Sequence, residues 1–174
     1  MATDSATLIS SLGLLEHPAG GYFSETDRRK TEIPTPFRDD AALRNLATTI
    51  YYLLTKQSPT GIILRENSVA YHMHHLGRME YTLITPASTL GQAPKIEKKV
   101  LGPENRLIVV EPGVWKFARL LEGEENCLMT MLLVPGFSLD DHEFLTMDSL
   151  KALFEGVEGG EERIKEFEAY TWKN

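Results

Sequence analysis

The sequence predicts an all-β fold, a sandwich or barrel of short strands, with short helices near both ends. Segments rich in β-branched and aromatic residues recur from about residue 47 to residue 134. Turn residues separate these segments, among them Gly77, Pro86 and the pair Pro112-Gly113. Short strands at such regular spacing are typical of a sandwich or a barrel rather than of βαβ units.

The first predicted element is a helix over 4–15, where leucines recur at three- and four-residue spacing and Asp4 or Ser5 can cap the start. Segment 17–21 ends it, because a proline and two glycines stand there. A surface loop is predicted over 30–43, where prolines stand among charges. Strands are predicted over 22–26, 48–55, 62–65, 70–75, 80–85, 96–101, 106–110, 115–120 and 128–134.

A helical pattern returns after Asp148, where Leu150, Leu153 and Phe154 form one apolar face. Two glycines interrupt it, and the charged segment 161–168 predicts a second, solvated helix. The chain contains no internal repeat and no low-complexity tract. We therefore expect one domain over 1–174, with a β-rich body at roughly 20–147 and a helical segment at 148–174.

Composition and charge disfavour several classes of protein. The formal net charge of −7 argues against nucleic-acid binding and against docking on anionic membranes, because both need a basic surface. The sequence has no secretory signal pattern and no apolar stretch of about 20 residues, so the expected location is the cytoplasm. Cys127 is the only cysteine and stands in an apolar run, which predicts a buried, unreactive thiol and no disulfide.

Three blocks of sequence carry a resemblance to a known family. The first, 12–26, contains His17, three glycines and Glu25; the second, 49–54, includes an Ile-Tyr-Tyr-Leu-Leu run; the third, 134–142, begins Val-Pro-Gly-Phe and contains two aspartates. In their order and separation these blocks resemble the cupin-5 family over about residues 8–150.

The resemblance implies a cupin double-stranded β-helix, or jelly-roll barrel, similar in fold to the dTDP-4-dehydrorhamnose 3,5-epimerases. It also implies a ligand pocket inside the barrel and a homodimer. It brings no settled reaction, so the activity has to be argued from the residues of the pocket.

The resemblance also bears on metal binding. Metal-binding cupins take two histidines and a carboxylate from a first motif and a third histidine from a second. When Gly77 is matched to the glycine that ends the first motif, the carboxylate position falls on Ala70 and the histidine positions fall within 63–65. The remaining histidine position falls at or beside Lys116. Because Lys116 and Arg65 would repel a divalent ion, we expect no metal and no cofactor.

Candidate site residues follow from strand alternation and from chemistry. His72 and His74 share one face of a predicted strand, and the family usually has an inward-pointing aromatic residue at the position of His72. A histidine in a partly dry barrel can take or donate a proton, and a nearby lysine can stabilise an oxyanion. The predicted catalytic residues are His72, Lys116 and His74, and the predicted substrate-binding residues are Arg65, Tyr52, Trp115, Glu25, Phe23 and Phe137.

Structural alternatives stay open for several of these residues. His72 or His74 can be a packing histidine with satisfied hydrogen bonds, and Lys116 and Arg65 can extend their charged ends to water at the barrel rim. Glu25 and Asp141 can each bind a ligand, cap a turn or pair with an arginine such as Arg28 or Arg119. A structural role is favoured for Asp141, because it follows a Pro-Gly turn where side-chain bonds to backbone are common.

Three functions are compatible with these residues. The preferred one is a metal-independent isomerase, epimerase or cyclase that moves a proton on a small organic metabolite. The second is a non-catalytic protein that binds such a metabolite. The third is a metal-dependent oxygenase that holds iron at His72, His74 and Glu80.

Overall fold

The computed structural model describes residues 4–89 and 91–173, and most of their regular structure is β-strand. The helices are α1 (Ser5–Ser11), α2 (Met147–Leu153) and α3 (Gly160–Phe167), with short 3-10 helices at Leu139–Asp141 and Glu168–Tyr170. The strands are β1 (Leu15–Glu16), β2 (Tyr22–Arg28), β3 (Glu32–Pro34), β4 (Leu43–Asn45), β5 (Thr48–Thr55), β6 (Leu64–Glu66), β7 (Val69–Leu76), β8 (Met79–Thr85), β9 (Lys95–Leu101), β10 (Leu107–Val110), β11 (Trp115–Leu120), β12 (Asn126–Val134) and β13 (His142–Phe144).

The strands form two large antiparallel sheets and one small one. The strand order is β1-β2-β5-β12-β7-β10 in the first large sheet and β13-β6-β11-β8-β9 in the second, while β3 and β4 form a separate pair. The two large sheets pack face to face, with short helices near both ends of the chain. The predicted class, a jelly roll with short terminal helices, is confirmed. None of the helices in the described part of the chain is long and apolar enough to cross a membrane.

Side chains from both large sheets fill the space between them. Because every second residue of a strand faces the same side, each strand contributes alternate residues to this layer. Cys127 is buried in it, and burial, with a smaller effect of Glu124, raises the pKa of its thiol to about 12, so the thiol is protonated and unreactive at neutral pH. The buried residues of the layer are Leu54, Ala70, Met79, Tyr81, Leu83, Leu101, Ile108, Val110, Ala118, Cys127, Met129 and Leu133.

Helices cover the outer faces of the two large sheets. α1 places Leu8 against Leu53 and Leu128 of the first sheet. α2 and α3 pack on the second sheet, where Phe167 meets Phe117 edge to face. Because the helices occupy parts of these outer faces, the layer between the sheets is the enclosed place for a ligand pocket.

The structure corrects several predicted boundaries. The first helix ends at Ser11 rather than at residue 15, because Gly13 takes a φ of 61° and Leu15 begins β1. The segment predicted as a loop over 30–43 contains β3, which includes Pro34. A proline is tolerated there because β3 pairs only with β4, so the lost donor breaks no ladder within a large sheet.

Two further differences matter for the site. β6 spans 64–66 rather than the predicted 62–65, so Glu66 belongs to a strand. β13 was absent from the predictions because a three-residue strand after a turn has no detectable alternation; it pairs with β6 and places His142 opposite Glu66.

The turn between β7 and β8 requires a glycine at position 77. Gly77 has a φ of 71°, and a Cβ there would lie 1.9 Å from the backbone oxygen of Asn126. Gly77→Ala is expected to lower the free energy of unfolding by about 3 kcal/mol or more, because it adds a backbone clash to left-handed strain. Urea unfolding followed by circular dichroism measures the loss.

Gly113→Ala is the matched control. Gly113 also has a positive φ, 77°, but nothing lies within 4 Å of an added Cβ. Its cost should be about 1–2 kcal/mol, from backbone strain alone. Equal losses in the two variants would show that the clash with Asn126 has no energetic consequence.

Candidate functional site

A cavity of about 190 Å³ lies between the two large sheets. Its walls are mainly apolar, with a few polar groups, which is the usual form of a small-molecule site. The apolar side chains on its walls include Phe23, Ile50, Tyr52, Leu64, Met129, Met131, Leu133 and Phe137. The polar and charged residues on its walls are His17, Glu25, Arg28, Thr48, Glu66, His72, Tyr81, Lys116 and His142.

A buried ion pair joins Glu66 of β6 to Lys116 of β11 on the cavity wall. Each side chain is only 6% exposed. Lys116 stands opposite Leu64 in the strand register, so Glu66, two positions further along β6, faces the same side. Since neither charge has free access to water, each depends on the other for compensation.

His72 and Tyr81 extend this ion pair into a row of polar contacts. His72 Nε2 lies 3.4 Å from Lys116 Nζ, and His72 Nδ1 lies 2.5 Å from the Tyr81 hydroxyl. Because an ammonium group only donates, Nε2 is the acceptor and Nδ1 carries the hydrogen. Tyr81 accepts that hydrogen and donates its own to the Met129 sulfur at 3.1 Å. These contacts fix the neutral tautomer of His72.

The groups beside the ion pair are uncharged at neutral pH. Burial, reinforced by the Lys116 charge, lowers the pKa of His72 well below its usual value. Burial also raises the pKa of Tyr81 well above the ordinary phenol value. It raises the pKa of Tyr52 too, whose hydroxyl donates to the Gly20 carbonyl at 2.8 Å. The charge on this wall therefore resides in the ion pair.

His17 reaches the cavity from the turn that precedes β2. Its Nδ1 accepts a hydrogen bond from the Ala19 backbone N–H at 3.0 Å. Burial, with a smaller effect of His142, lowers the pKa of His17 to about 4, and Glu66 opposes this only in part. His17 is therefore neutral near pH 7.

Arg28 lies where the cavity meets solvent and is held on several sides. It binds both carboxylate oxygens of Glu25, at 2.9 and 2.7 Å. It also donates to the Asn45 side-chain oxygen and to the Phe137 backbone carbonyl, each at 3.0 Å. Glu25 thus lines the cavity with its carboxylate already bound to Arg28.

Asp141 has the structural role favoured from sequence, through arginines rather than through the turn backbone. Its buried carboxylate accepts hydrogen bonds from Arg44 at 2.5 Å and from Arg38 at 3.1 Å. The expected bonds from its side chain to turn backbone are replaced by these ion pairs, because the 30–45 segment brings the arginines to it.

Six of the predicted site residues line the cavity: His72, Lys116, Tyr52, Glu25, Phe23 and Phe137. Three others do not, for three different reasons. His74 shares the inward face of β7 but bonds through Nε2 to the Gly77 carbonyl at 2.8 Å. Arg65 points away from the cavity and pairs with Glu143 at 2.6 Å. Trp115 is 2% exposed and packs in the cluster beneath α2 and α3, with the Arg65 guanidinium 4.4 Å from its ring centre.

Several polar residues of the cavity were not predicted as site residues from sequence, among them Glu66, Tyr81 and His17. Glu66 fell just outside its predicted strand, so no alternation indicated its direction. Tyr81 was inside a predicted strand, and its parity with Met79 and Leu83 could have placed it inward. His17 stands in a Pro-Gly turn, where neither strand nor helix periodicity indicates what a side chain faces.

The side chains at this wall do not fit a bound divalent metal. Lys116 Nζ occupies the point where Glu66 and His72 converge, and it also contacts the Met131 sulfur at 3.9 Å. Within residues 4–89 and 91–173, no group of three or more histidine, cysteine, aspartate or glutamate side chains could hold a metal ion. The set predicted for an oxygenase is not brought together, since Glu80 pairs with Arg119 at 2.8 Å and His74 binds the Gly77 carbonyl.

Comparison with known proteins assigns the family. The Cupin_5 family model, described as "Cupin superfamily (DUF985)", matches residues 6–145. The chain belongs to the Cupin_5 family. A Saccharomyces cerevisiae relative, the uncharacterised protein YML079W, is 35% identical over 157 residues, which cover 84% of this chain and 78% of the yeast protein.

Solved structures share the fold of this Cupin_5 chain. A hypothetical protein from Leishmania major has a TM-score of 0.82 at 22% identity, covering 98% of this chain and 100% of the other. A dTDP sugar isomerase from Desulfovibrio desulfuricans has a TM-score of 0.50 at 14% identity, covering 70% of this chain and 82% of the isomerase. The expected similarity to epimerase-like cupins is confirmed at the level of the fold.

The ion pair between Glu66 and Lys116 gives a prediction about stability. Lys116→Met should lower the free energy of unfolding by about 3–5 kcal/mol, because it leaves the Glu66 carboxylate buried and uncompensated. The double variant Lys116→Met with Glu66→Met should recover most of that loss, since two thioether side chains of similar length can fill the space. Chemical unfolding of wild type, both single variants and the double variant measures the coupling.

Lys56 and Glu125 offer the matched control, because they form an ion pair with side chains 52% and 60% exposed. Lys56→Met should cost less than about 1 kcal/mol. A double variant at the buried pair that is no more stable than Lys116→Met would contradict mutual compensation of the two charges.

His17 gives a prediction about pH. Its folded-state pKa of about 4 lies below the ordinary histidine value of 6.5, so the unfolded chain takes up the proton first as the pH falls. The stability contributed by neutral His17 is present above about pH 6.5 and is lost as the pH falls toward 4, by about 1–2 kcal/mol at pH 5. His17→Gln should remove that part of the difference in unfolding free energy between pH 7 and pH 5. An unchanged difference in the variant would show that His17 titrates normally.

Proposed function

We propose that the cavity belongs to a metal-independent isomerase, epimerase or cyclase that moves a proton on a small organic molecule. The fold and the family give a cupin-type role in binding or converting a small molecule. The observation that supports the finer proposal is the row from Glu66 through Lys116 and His72 to Tyr81, on the wall of an apolar cavity. This row joins a neutral base, His72, to a buried cation, Lys116.

His72 is the proposed general base. Its Nε2 is an acceptor, and burial with the Lys116 charge lowers the pKa of His72, so the ring is in its neutral, base form at neutral pH. The imidazolium formed by proton transfer is balanced by the negative charge that develops on the substrate. Nε2 now faces Lys116, whose ammonium has three N–H donors on a flexible stem. When the ammonium turns one N–H from Nε2 to a substrate oxygen, Nε2 becomes free to accept a proton from carbon.

Lys116 is the proposed stabiliser of negative charge. As the C–H proton moves to His72, the bonding electrons shift to the adjacent carbonyl and form an enolate oxygen, which the ammonium binds. Return of the proton from His72 to the same or a neighbouring carbon completes an isomerisation, with atoms and charge conserved. Glu66 holds the ammonium in place throughout.

The size of the cavity limits the ligand. An apolar protein cavity of about 150 Å³ accommodates benzene. At about 190 Å³, this cavity takes a single ring with few substituents. A nucleotide-linked sugar would fit only with its sugar inside, so the name of the dTDP sugar isomerase supports isomerisation as a reaction class rather than that substrate.

Non-catalytic binding is the second candidate, and one observation favours it. The polar atoms of His72, Lys116 and Tyr81 already have partners within the row, and His72 is 1% exposed. A protein that stores or senses a small molecule needs no free base, and such a row would then only hold the two sheets together.

Proton exchange distinguishes the two candidates. In D2O, wild-type protein should accelerate exchange of the α-hydrogens of cyclohexanone, a ring-sized ketone, as followed by NMR. His72→Phe should reduce the accelerated rate about 100-fold or more, with the dissociation constant changed by less than about threefold, because the base is lost and the ring shape is kept.

His75→Phe is the matched control, since His75 is exposed and bonds to Thr130 on the outer face of the sheet. It should exchange at the wild-type rate. Cyclohexanone that binds without accelerated exchange in wild type would favour the carrier. Native mass spectrometry of the purified protein would then identify a natural ligand.

The proposed partners are a small organic metabolite and a second copy of the chain, in the cytoplasm. β10 is an edge strand of the first sheet, with Leu107 49% and Val109 36% exposed. Tyr71 and Met73 of the neighbouring β7 stand opposite them in register and are partly exposed. Such an apolar edge supports a homodimer, because exposed sheet edges are usually covered.

A further inference from the structure

We propose that His17 is a ligand-binding residue: its Nε2–H donates a hydrogen bond to a carbonyl oxygen of a ring-sized molecule in the cavity. His17 was not among the residues expected from sequence. The binding part of this inference stands without catalysis. Its extension, that the same hydrogen bond steadies an enolate while His72 holds the proton, rests on the proposed function.

The tautomer of His17 is set by its own turn. A backbone amide only donates, so the 3.0 Å contact from the Ala19 N–H requires a lone pair on His17 Nδ1. The turn is closed at both ends, because the His17 N–H donates to Gly21 and the Gly20 N–H donates to the His17 carbonyl, each at 2.9 Å. A neutral imidazole with a free lone pair on Nδ1 carries its hydrogen on Nε2.

Among the described residues, that hydrogen has no acceptor. In the described part of the chain, no hydrogen bond joins His17 Nε2 to another residue, although His17 lines the cavity. The ring is held edge-on to Phe23 and Tyr52, with centroids 4.9 and 5.7 Å away. A ring that lines a cavity, with its tautomer fixed and its N–H without a partner among the described residues, can donate that hydrogen to a ligand acceptor.

The charges of the cavity residues indicate which kind of ligand acceptor His17 binds. His17 is neutral, and the cations of the cavity are already paired, Lys116 with Glu66 and Arg28 with Glu25. No unpaired cation among the described cavity residues calls for a phosphate or a carboxylate. A neutral donor in an apolar cavity of about 190 Å³ matches a single oxygen on a small ring, a ketone or its enol.

His17 and His72 have complementary hydrogen-bonding roles. His72 presents an acceptor and His17 a donor, because one ring is fixed by an ammonium and the other by a backbone amide. A ketone held by both groups would have its oxygen at the His17 donor and its α-hydrogen at the His72 acceptor, since both residues line the same cavity. That polarity is the one required to make and quench an enolate.

The test uses cyclohexanone and methylenecyclohexane, which share a shape but differ in the oxygen. Wild-type protein should bind cyclohexanone more tightly than methylenecyclohexane. His17→Phe should lower the affinity for cyclohexanone about five- to tenfold, the loss expected for one hydrogen bond, and leave the affinity for methylenecyclohexane unchanged. His75→Gln, on the outer surface, should bind both as wild type does. Ligand-observed NMR titrations measure all of these affinities.

A second measurement needs no variant. Long-range ¹H–¹⁵N spectra of wild-type protein at pH 7 should show His17 protonated at Nε2 and not at Nδ1, with the Nε2–H resonance shifting when cyclohexanone is added. Three results would overturn the inference. They are an Nδ1–H tautomer of His17, an equal loss of affinity for both ligands in His17→Phe, and no binding of cyclohexanone to wild type. Intact His17-dependent binding without α-hydrogen exchange would instead overturn the proposed catalysis and leave the donor role in place.

Discussion

The Glu66–Lys116 ion pair is the interaction on which the site depends. A carboxylate and an ammonium buried together are costly to desolvate, and each is tolerated because the other is present. Their position joins β6 to β11 within one sheet, while His72 brings in β7 of the opposite sheet. The pair therefore fixes the relative position of two layers at the cavity, and it decides which nitrogen of His72 can accept a proton.

Much of the remaining polar chemistry follows from this constraint. The Lys116 charge and burial both favour neutral His72, and His72 in turn directs the hydroxyl of Tyr81 to the Met129 sulfur. The cavity is thus lined by neutral groups with fixed donor and acceptor directions, beside a compensated charge. Such a surface discriminates between ligands by where their oxygens stand rather than by their net charge.

The fold could be predicted from sequence because many short strands and the turn residues between them are local signals. Alternation put His72 and His74 on one face of a strand, and the match to the cupin motifs brought Lys116 into the candidate site; His72 and Lys116 both line the cavity. Alternation gives the face but not the depth along the strand, so His74 was grouped with His72 although it bonds at the β7–β8 turn. Alternation also does not indicate which face of a sheet lines the cavity and which face packs against helices. Trp115 was therefore predicted to line the pocket, but it packs beneath α2 and α3.

Arg28 has a consequence for how molecules enter. It binds Glu25 on its own strand, Asn45 at the end of β4 and the carbonyl of Phe137 after β12. Three segments far apart in sequence are tied at one guanidinium, so this part of the cavity wall is cross-linked and does not form an independent flap. A molecule that enters beside Arg28 would have to fit the wall as it stands, since moving one of the three segments would break hydrogen bonds to the other two.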